Sequence, residues 1–245
     1  MLKRIGWIGV VCALWLALPS WSADGAWPRV GEIVYEVSQG EGGMVLGRGV
    51  HRWSHDGRAY RMTTHLETTG LAAMLKDFDY TQTSEGEVTP QGLRPRRFLV
   101  EQKGREDERA TFDWRTNSVL VEGRKGRRST ESLTAGDLDV LSVWHLVAQR
   151  PGRELPARLS LVSNRGVDPA AVEVLGMQEV TLPIGRVRAQ HVKLRAHSGK
   201  LEIALWLSEQ HDWAPVRVRL QDRKGKVLDH RAVRVEFGAA APSHP

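Results

Sequence analysis

Apolar and polar residues alternate along most of this chain. Leu201, Ile203, Leu205 and Leu207 alternate with Glu202, Ala204 and Trp206. Val216, Val218 and Leu220 alternate with Arg217, Arg219 and Gln221, and Tyr60, Met62, Thr64 and Leu66 with Arg61, Thr63 and His65. A period of two sends successive side chains to opposite faces, so each stretch predicts a strand with one buried and one wet face. Between the strands lie His55-Asp56-Gly57, Arg115-Thr116-Asn117-Ser118 and Arg223-Lys224-Gly225. They put glycine or asparagine where a hairpin needs positive φ. About a dozen strands joined by short turns predict a mainly β fold, a large curved antiparallel sheet that is open-barrel or roll-like.

One segment departs from the period. Leu138, Val140, Leu141, Trp144 and Val147 fall mostly at three- and four-residue steps. That spacing predicts an amphipathic helix over about 138–149, its apolar face covering an open end or face of the sheet. Asp137 or Asp139 can cap its first amides, and Pro151-Gly152 ends it. A shorter helical candidate runs from Gly70 to Lys76. No flexible linker divides the chain, so residues 23–238 read as a single β-rich domain, with 239–245 expected as a disordered tail.

The N-terminus reads as a leader. Lys3 and Arg4 precede an uncharged apolar run from Ile5 to Leu18, Pro19 breaks it, and Ser20-Trp21-Ser22 offers a cut after Ser22. This is the three-part pattern of a cleavable signal peptide over residues 1–22. The run is too short for the ~20 residues of a membrane span, so no stable transmembrane anchor is expected after processing. The expected address is the periplasm. The only cysteine, Cys12, lies in the leader, which excludes thiol catalysis and cysteine zinc sites from the processed protein.

The whole chain has 35 Lys+Arg against 29 Asp+Glu, and loss of Lys3 and Arg4 with the leader leaves 33 against 29. Most of these cations alternate along strands, as on a solvated face. A basic surface in that compartment meets anionic lipid or polysaccharide before nucleic acid, so no nucleic-acid partner is expected.

No motif assigns a catalytic, cofactor-binding or metal-binding residue, and no cofactor is expected. His51 and His55 are four apart, about 13 Å on a strand, too far to share one ion. His191 and His197 are farther apart still. There is no His-Glu-x-x-His, no Gly-x-Ser-x-Gly and no Ser-x-x-Lys. Gly40, Gly42 and Gly43 around Glu41 read as a turn rather than a phosphate cradle. The carboxylate pairs Asp77/Asp79 and Asp137/Asp139 could do acid–base work, but solvation explains the first and capping the second. Trp53, Trp114, Trp144, Trp206 and Trp213 suit packing first and ligand stacking second.

Taken in order, several short segments resemble one family. They are Tyr35-Glu-Val with Gly47, Thr69-Gly70-Leu71, Ser84-Glu-Gly86, Gly92-Leu93-x-Pro95 with Phe98, and Phe112-Asp113-Trp114. Ala135-Gly136-x-x-Asp139-Val-Leu141-Ser142 with Trp144, then Leu205-Trp206-Leu207 and Pro215-Val-Arg217, complete the series. Together they resemble the exported bacterial family called domain of unknown function three-one-zero-eight, with Leu138 where that family usually has Gln. The resemblance implies a periplasmic, sheet-dominated protein and transfers no catalytic residue. The leading expectation is a non-enzymatic binder of an apolar or amphipathic ligand, lipid or glycan, or of an envelope protein. An envelope hydrolase or glycan-modifying enzyme using acidic residues, and a structural assembly factor, are the alternatives.

Overall fold

The computed structural model describes residues 27–70, 73, 78–147 and 154–238. The leader, the tail, Asp77, and most of the 70–76 candidate lie outside the described residues. Fifteen strands form one sheet: β1 (Val30–Gln39), β2 (Val45–His55), β3 (Ala59–Thr68), β4 (Asp79–Thr89), β5 (Gly92–Gln102), β6 (Glu108–Asp113), β7 (Ser118–Glu122) and β8 (Arg128–Ser132) make its first half. The second half is β9 (Leu138–Asp139), β10 (Arg158–Ser163), β11 (Gly166–Leu182), β12 (Gly185–Ala196), β13 (Leu201–Ser208), β14 (Ala214–Asp222) and β15 (Val227–Gly238).

The spatial order runs from β8 down to β1, then from β15 down to β9. Each half is an antiparallel meander, except for the parallel β9–β10 pair, and β1 zips onto β15 from Val30↔Gly238 to Gln39↔Leu228. The twist natural to strands curls so wide a sheet. Its two edges meet at a seam bridged by side chains rather than a backbone ladder. Arg127 donates to the Asn164 carbonyl (2.7 Å), and Glu131 accepts the Val167 amide (3.1 Å).

The predicted alternation is visible in the wall. Outward residues pair in water: Glu32 with Arg52 and Arg234, Arg61 with Glu85, and Glu122 with Arg109 and Arg128. Inward residues such as Ile33, Tyr35, Met62, Phe98, Leu194 and Leu205 are fully buried. The interior is therefore the apolar side. No helix among the described residues is long and apolar enough to cross a membrane.

The segment expected as a helix over 138–149 takes another form. Leu138–Asp139 is the strand β9, Ser142–His145 is a single 3-10 turn, and residues 148 and 149 lie outside the described residues. Instead of covering the sheet it enters it: Leu138, Leu141, Val143, Trp144, His145, Leu146 and Val147 are all buried. The physical reason is that Val143 and Leu146 extend the apolar character beyond one stripe, and a segment apolar all round is a buried one. Asp139 settles the local shape by accepting the Leu141 and Ser142 amides (2.9 and 2.8 Å). The segment is an internal plug.

Candidate functional site

The plug divides the interior. On one side of it a chain of buried polar groups ties four elements together. The Trp27 indole N–H donates to His145 Nδ1 (2.9 Å), His145 Nε2 meets His51 Nε2 (2.8 Å), and His51 Nδ1 meets Thr64 Oγ1 (2.8 Å). An indole can only donate, so His145 Nδ1 must be its acceptor. Burial drives His145 well below its ordinary pKa and His51 down to about 3, so both rings are neutral. A neutral His145 then carries its proton on Nε2 and donates to His51, whose own proton sits on Nδ1 and points to Thr64. One donor-only group fixes every tautomer in the line.

Trp27→Phe tests that direction. The ring is kept and the N–H is lost, leaving Nδ1 of His145 buried without a donor. An unpaired buried acceptor costs about 1–3 kcal/mol. The variant should lose about that much in a urea titration. Nitrogen NMR of the wild type should find His145 as its Nε2–H tautomer; an Nδ1–H tautomer would contradict the chain.

A second cluster anchors the plug. Ser84 donates to Asp139 Oδ2 (2.6 Å), and the Tyr60 hydroxyl lies 3.0 Å from Ser84 Oγ. Desolvation raises Asp139 above the ordinary carboxylate range, against the hydrogen bonds from Ser84 and the Ser142 and Leu141 amides that lower it. Asp137, the other member of that pair, accepts the Thr134 and Ser160 amides (2.7 Å each). The two carboxylates hold backbone in different places. Asp79 lies exposed at the start of β4, 3.7 Å from His65.

On the other side of the plug a cavity of about 480 Å³ opens at one end of the sheet. Its lining includes Phe78, Tyr80, Val140, Trp144, Leu161 and Ile203. Trp144 is 1% exposed, and its indole N–H has no acceptor among the described residues. Its neighbour His230, ring centroid 5.8 Å away, donates through Nδ1 to the Val218 carbonyl (3.1 Å), so its Nε2 is a free acceptor. The cavity acids are engaged by the chain. Glu108 holds Arg124 (2.8 Å), Asp168 holds Ser198, and Asp222 accepts the Lys224 and Lys226 amides of its own turn (2.8 and 2.9 Å).

The remaining candidates separate. His51 is interior, whereas His55 caps the end of β2 and stacks on Trp27 at 4.2 Å. His191 packs on the outer wall, stacked on Trp206 at 4.2 Å, with Arg217 on the same indole at 4.5 Å; His197 lies in the turn after β12. Arg217 in turn grips the buried Asp229 through two bonds (2.9 and 2.8 Å). Trp53 and Trp114 donate to the Pro28 and Pro95 carbonyls (2.8 and 2.6 Å), and Trp213 packs against the core as a partly buried residue. Gly40 and Gly42 supply the positive φ of a turn (78° and 64°), as expected. No group of three or more His, Cys, Asp or Glu among the described residues is placed to hold a metal.

Fold and site together define a barrel-like wall around an internal plug, with a cavity beside it. Residues 34–229 match the model of the family described as Protein of unknown function (DUF3108), and the chain belongs to that family. In fold it is similar to the beta-barrel-like protein of domain of unknown function DUF1849 from Brucella abortus. That likeness has a TM-score of 0.59 at 12% identity, over 87% of this chain and 100% of the other. No curated protein matches the sequence.

Proposed function

We propose that this is an exported, periplasmic, non-enzymatic protein that holds an amphipathic ligand inside its sheet. The observation that carries the reading is the cavity of about 480 Å³ beside the plug. It is within the roughly 300–1,000 Å³ of small-molecule sites, mixes aromatic walls with polar groups near its opening, and keeps one buried donor in its lining. The acidic enzyme reading has less support, because each cavity carboxylate already serves the chain. An envelope protein partner is the second reading. It is favoured by Val174, Leu175 and Met177, which are 48%, 39% and 37% exposed on the bulged stretch of β11.

The test is native mass spectrometry of protein purified from the periplasm, alongside enhancement of N-phenyl-1-naphthylamine fluorescence. A bound mass or a saturable fluorescence rise is expected. Val140→Trp, which fills the cavity from a partly exposed position, should abolish either signal while the circular dichroism stays unchanged. Absence of both signals in the wild type would overturn the reading.

A further inference from the structure

Antiparallel meanders send alternate hairpin connections to opposite ends of a sheet. The connections 40–44, 103–107, 123–127, 164–165, 197–200 and 223–226 lie at the end where the cavity opens. They carry ten lysines and arginines against three acids, Glu41, Glu106 and Asp107. Connection 123–127 alone has Arg124, Lys125 and Arg127, and 223–226 has Arg223, Lys224 and Lys226. The connections of the opposite end, 56–58, 90–91, 114–117, 133–137, 183–184 and 209–213, carry two cations against four acids. Among these described connections positive charge is thus gathered at the cavity end and acidic charge at the other.

Three of these cations line the cavity itself from three separate turns: Arg105 after β5, Arg165 after β10 and Lys200 after β12. None of the three has an ion-pair partner among the described residues, while the fourth cavity cation, Arg124, is neutralised by Glu108. Arg165 shares this lining with the partly buried Tyr80 of the cavity wall. Below them the lining turns aromatic and aliphatic, and includes Trp144 with its unpartnered N–H.

We infer that the ligand is an anionic amphiphile, its oxyanion head gripped by Arg105, Arg165 and Lys200 and its chain packed in the cavity against Phe78, Tyr80 and Trp144. The inference rests on the ligand-holding reading above and adds the chemistry of the head group. Charge-assisted hydrogen bonds from guanidinium and ammonium to carboxylate or phosphate are the strong class of such contacts. The surrounding field of like sign concentrates anions at the opening and weakens with salt.

The test measures three probes below micelle formation on the processed protein: dodecyl phosphate, dodecanol and inorganic phosphate. Dodecyl phosphate should bind at least tenfold tighter than dodecanol, and the margin should shrink as salt is raised. Inorganic phosphate should bind far more weakly than either. Arg105→Ala/Arg165→Ala/Lys200→Ala together should remove the preference and leave dodecanol affinity within about twofold, which also shows that the variant is folded. Equal affinity for dodecyl phosphate and dodecanol overturns the head-group inference and leaves the cavity reading standing. Binding of neither lipid overturns the cavity reading itself. Inorganic phosphate binding as tightly as dodecyl phosphate reduces the mouth to a free-anion site and also overturns the inference.

Discussion

Trp144→Ala is expected to lower the unfolding free energy by about 3–5 kcal/mol, the usual range for deleting a buried tryptophan or phenylalanine. The indole is 1% exposed and packs edge-on to Tyr35 (6.4 Å, 87°), against His51 (5.2 Å) and against His230 (5.8 Å). It is the largest fully buried side chain of the plug, so its loss opens a hole where the plug meets both the wall and the cavity. Domains have a total stability of roughly 5–15 kcal/mol, so the variant would sit near the edge of folding. Urea titration of wild type, Trp144→Ala and Trp144→Phe separates the contributions. The phenylalanine variant should recover most of the loss, because the burial is apolar and the indole N–H has no partner in the chain to lose. A loss below about 1 kcal/mol for the alanine variant, typical of surface changes, would show the plug to be a mobile lid.

The wall was legible because most strands keep one wetter face, although on β13 the expected wet face is itself buried at Ala204 and Trp206. Arg217, Arg219 and Gln221 on β14 are only partly exposed, yet their alternation with Val216, Val218 and Leu220 marks the strand. The plug was misread for the complementary reason. The helical stripe through Leu138, Val140, Leu141, Trp144 and Val147 leaves out Val143 and Leu146, which are buried, and includes Val140, which is only partly so. The sequence offers Asp137 or Asp139 as the cap; Asp139 accepts the Leu141 and Ser142 amides, whereas Asp137 accepts those of Thr134 and Ser160. The histidine pair was not, because sequence rules compare near neighbours such as His51 and His55, whereas His51 meets His145 from 94 positions away. The basic mouth had a signal that composition hides. Summed over the chain, the cations nearly balance the acids; summed over alternate hairpin turns, they do not. Once the meander was expected, counting charge by turn parity would have located that end of the barrel.

The second large effect concerns acid. His51, His145 and His230 are fully buried, and desolvation is the first cause of each depressed pKa, with His51 held at about 3 and His230 at about 4. In the unfolded chain each would titrate near ~6.5. Between those values the unfolded state binds protons that the folded state refuses, so stability falls as pH drops below about 6.5 and continues to fall toward the folded values. Each pH unit costs about 1.4 kcal/mol per histidine. At pH 5 the loss is about 2 kcal/mol apiece, or about 4 kcal/mol for His51 and His230, with His145 acting in the same direction. Asp139 has the opposite sign, because its raised pKa makes the fold hold its proton more tightly in acid, but it is one group against three. Unfolding free energies from urea titrations at pH 7.5 and 5.0 should therefore differ by several kcal/mol. His230→Phe isolates one contributor. It keeps a ring against Tyr35 and Trp144 and removes the titration, so the difference between the two pH values should shrink by about 2 kcal/mol, whatever the variant's own stability at pH 7.5. A wild-type protein equally stable at both pH values would mean that the three imidazoles accept protons in the folded state, and the neutral chain from Trp27 to Thr64 would not exist.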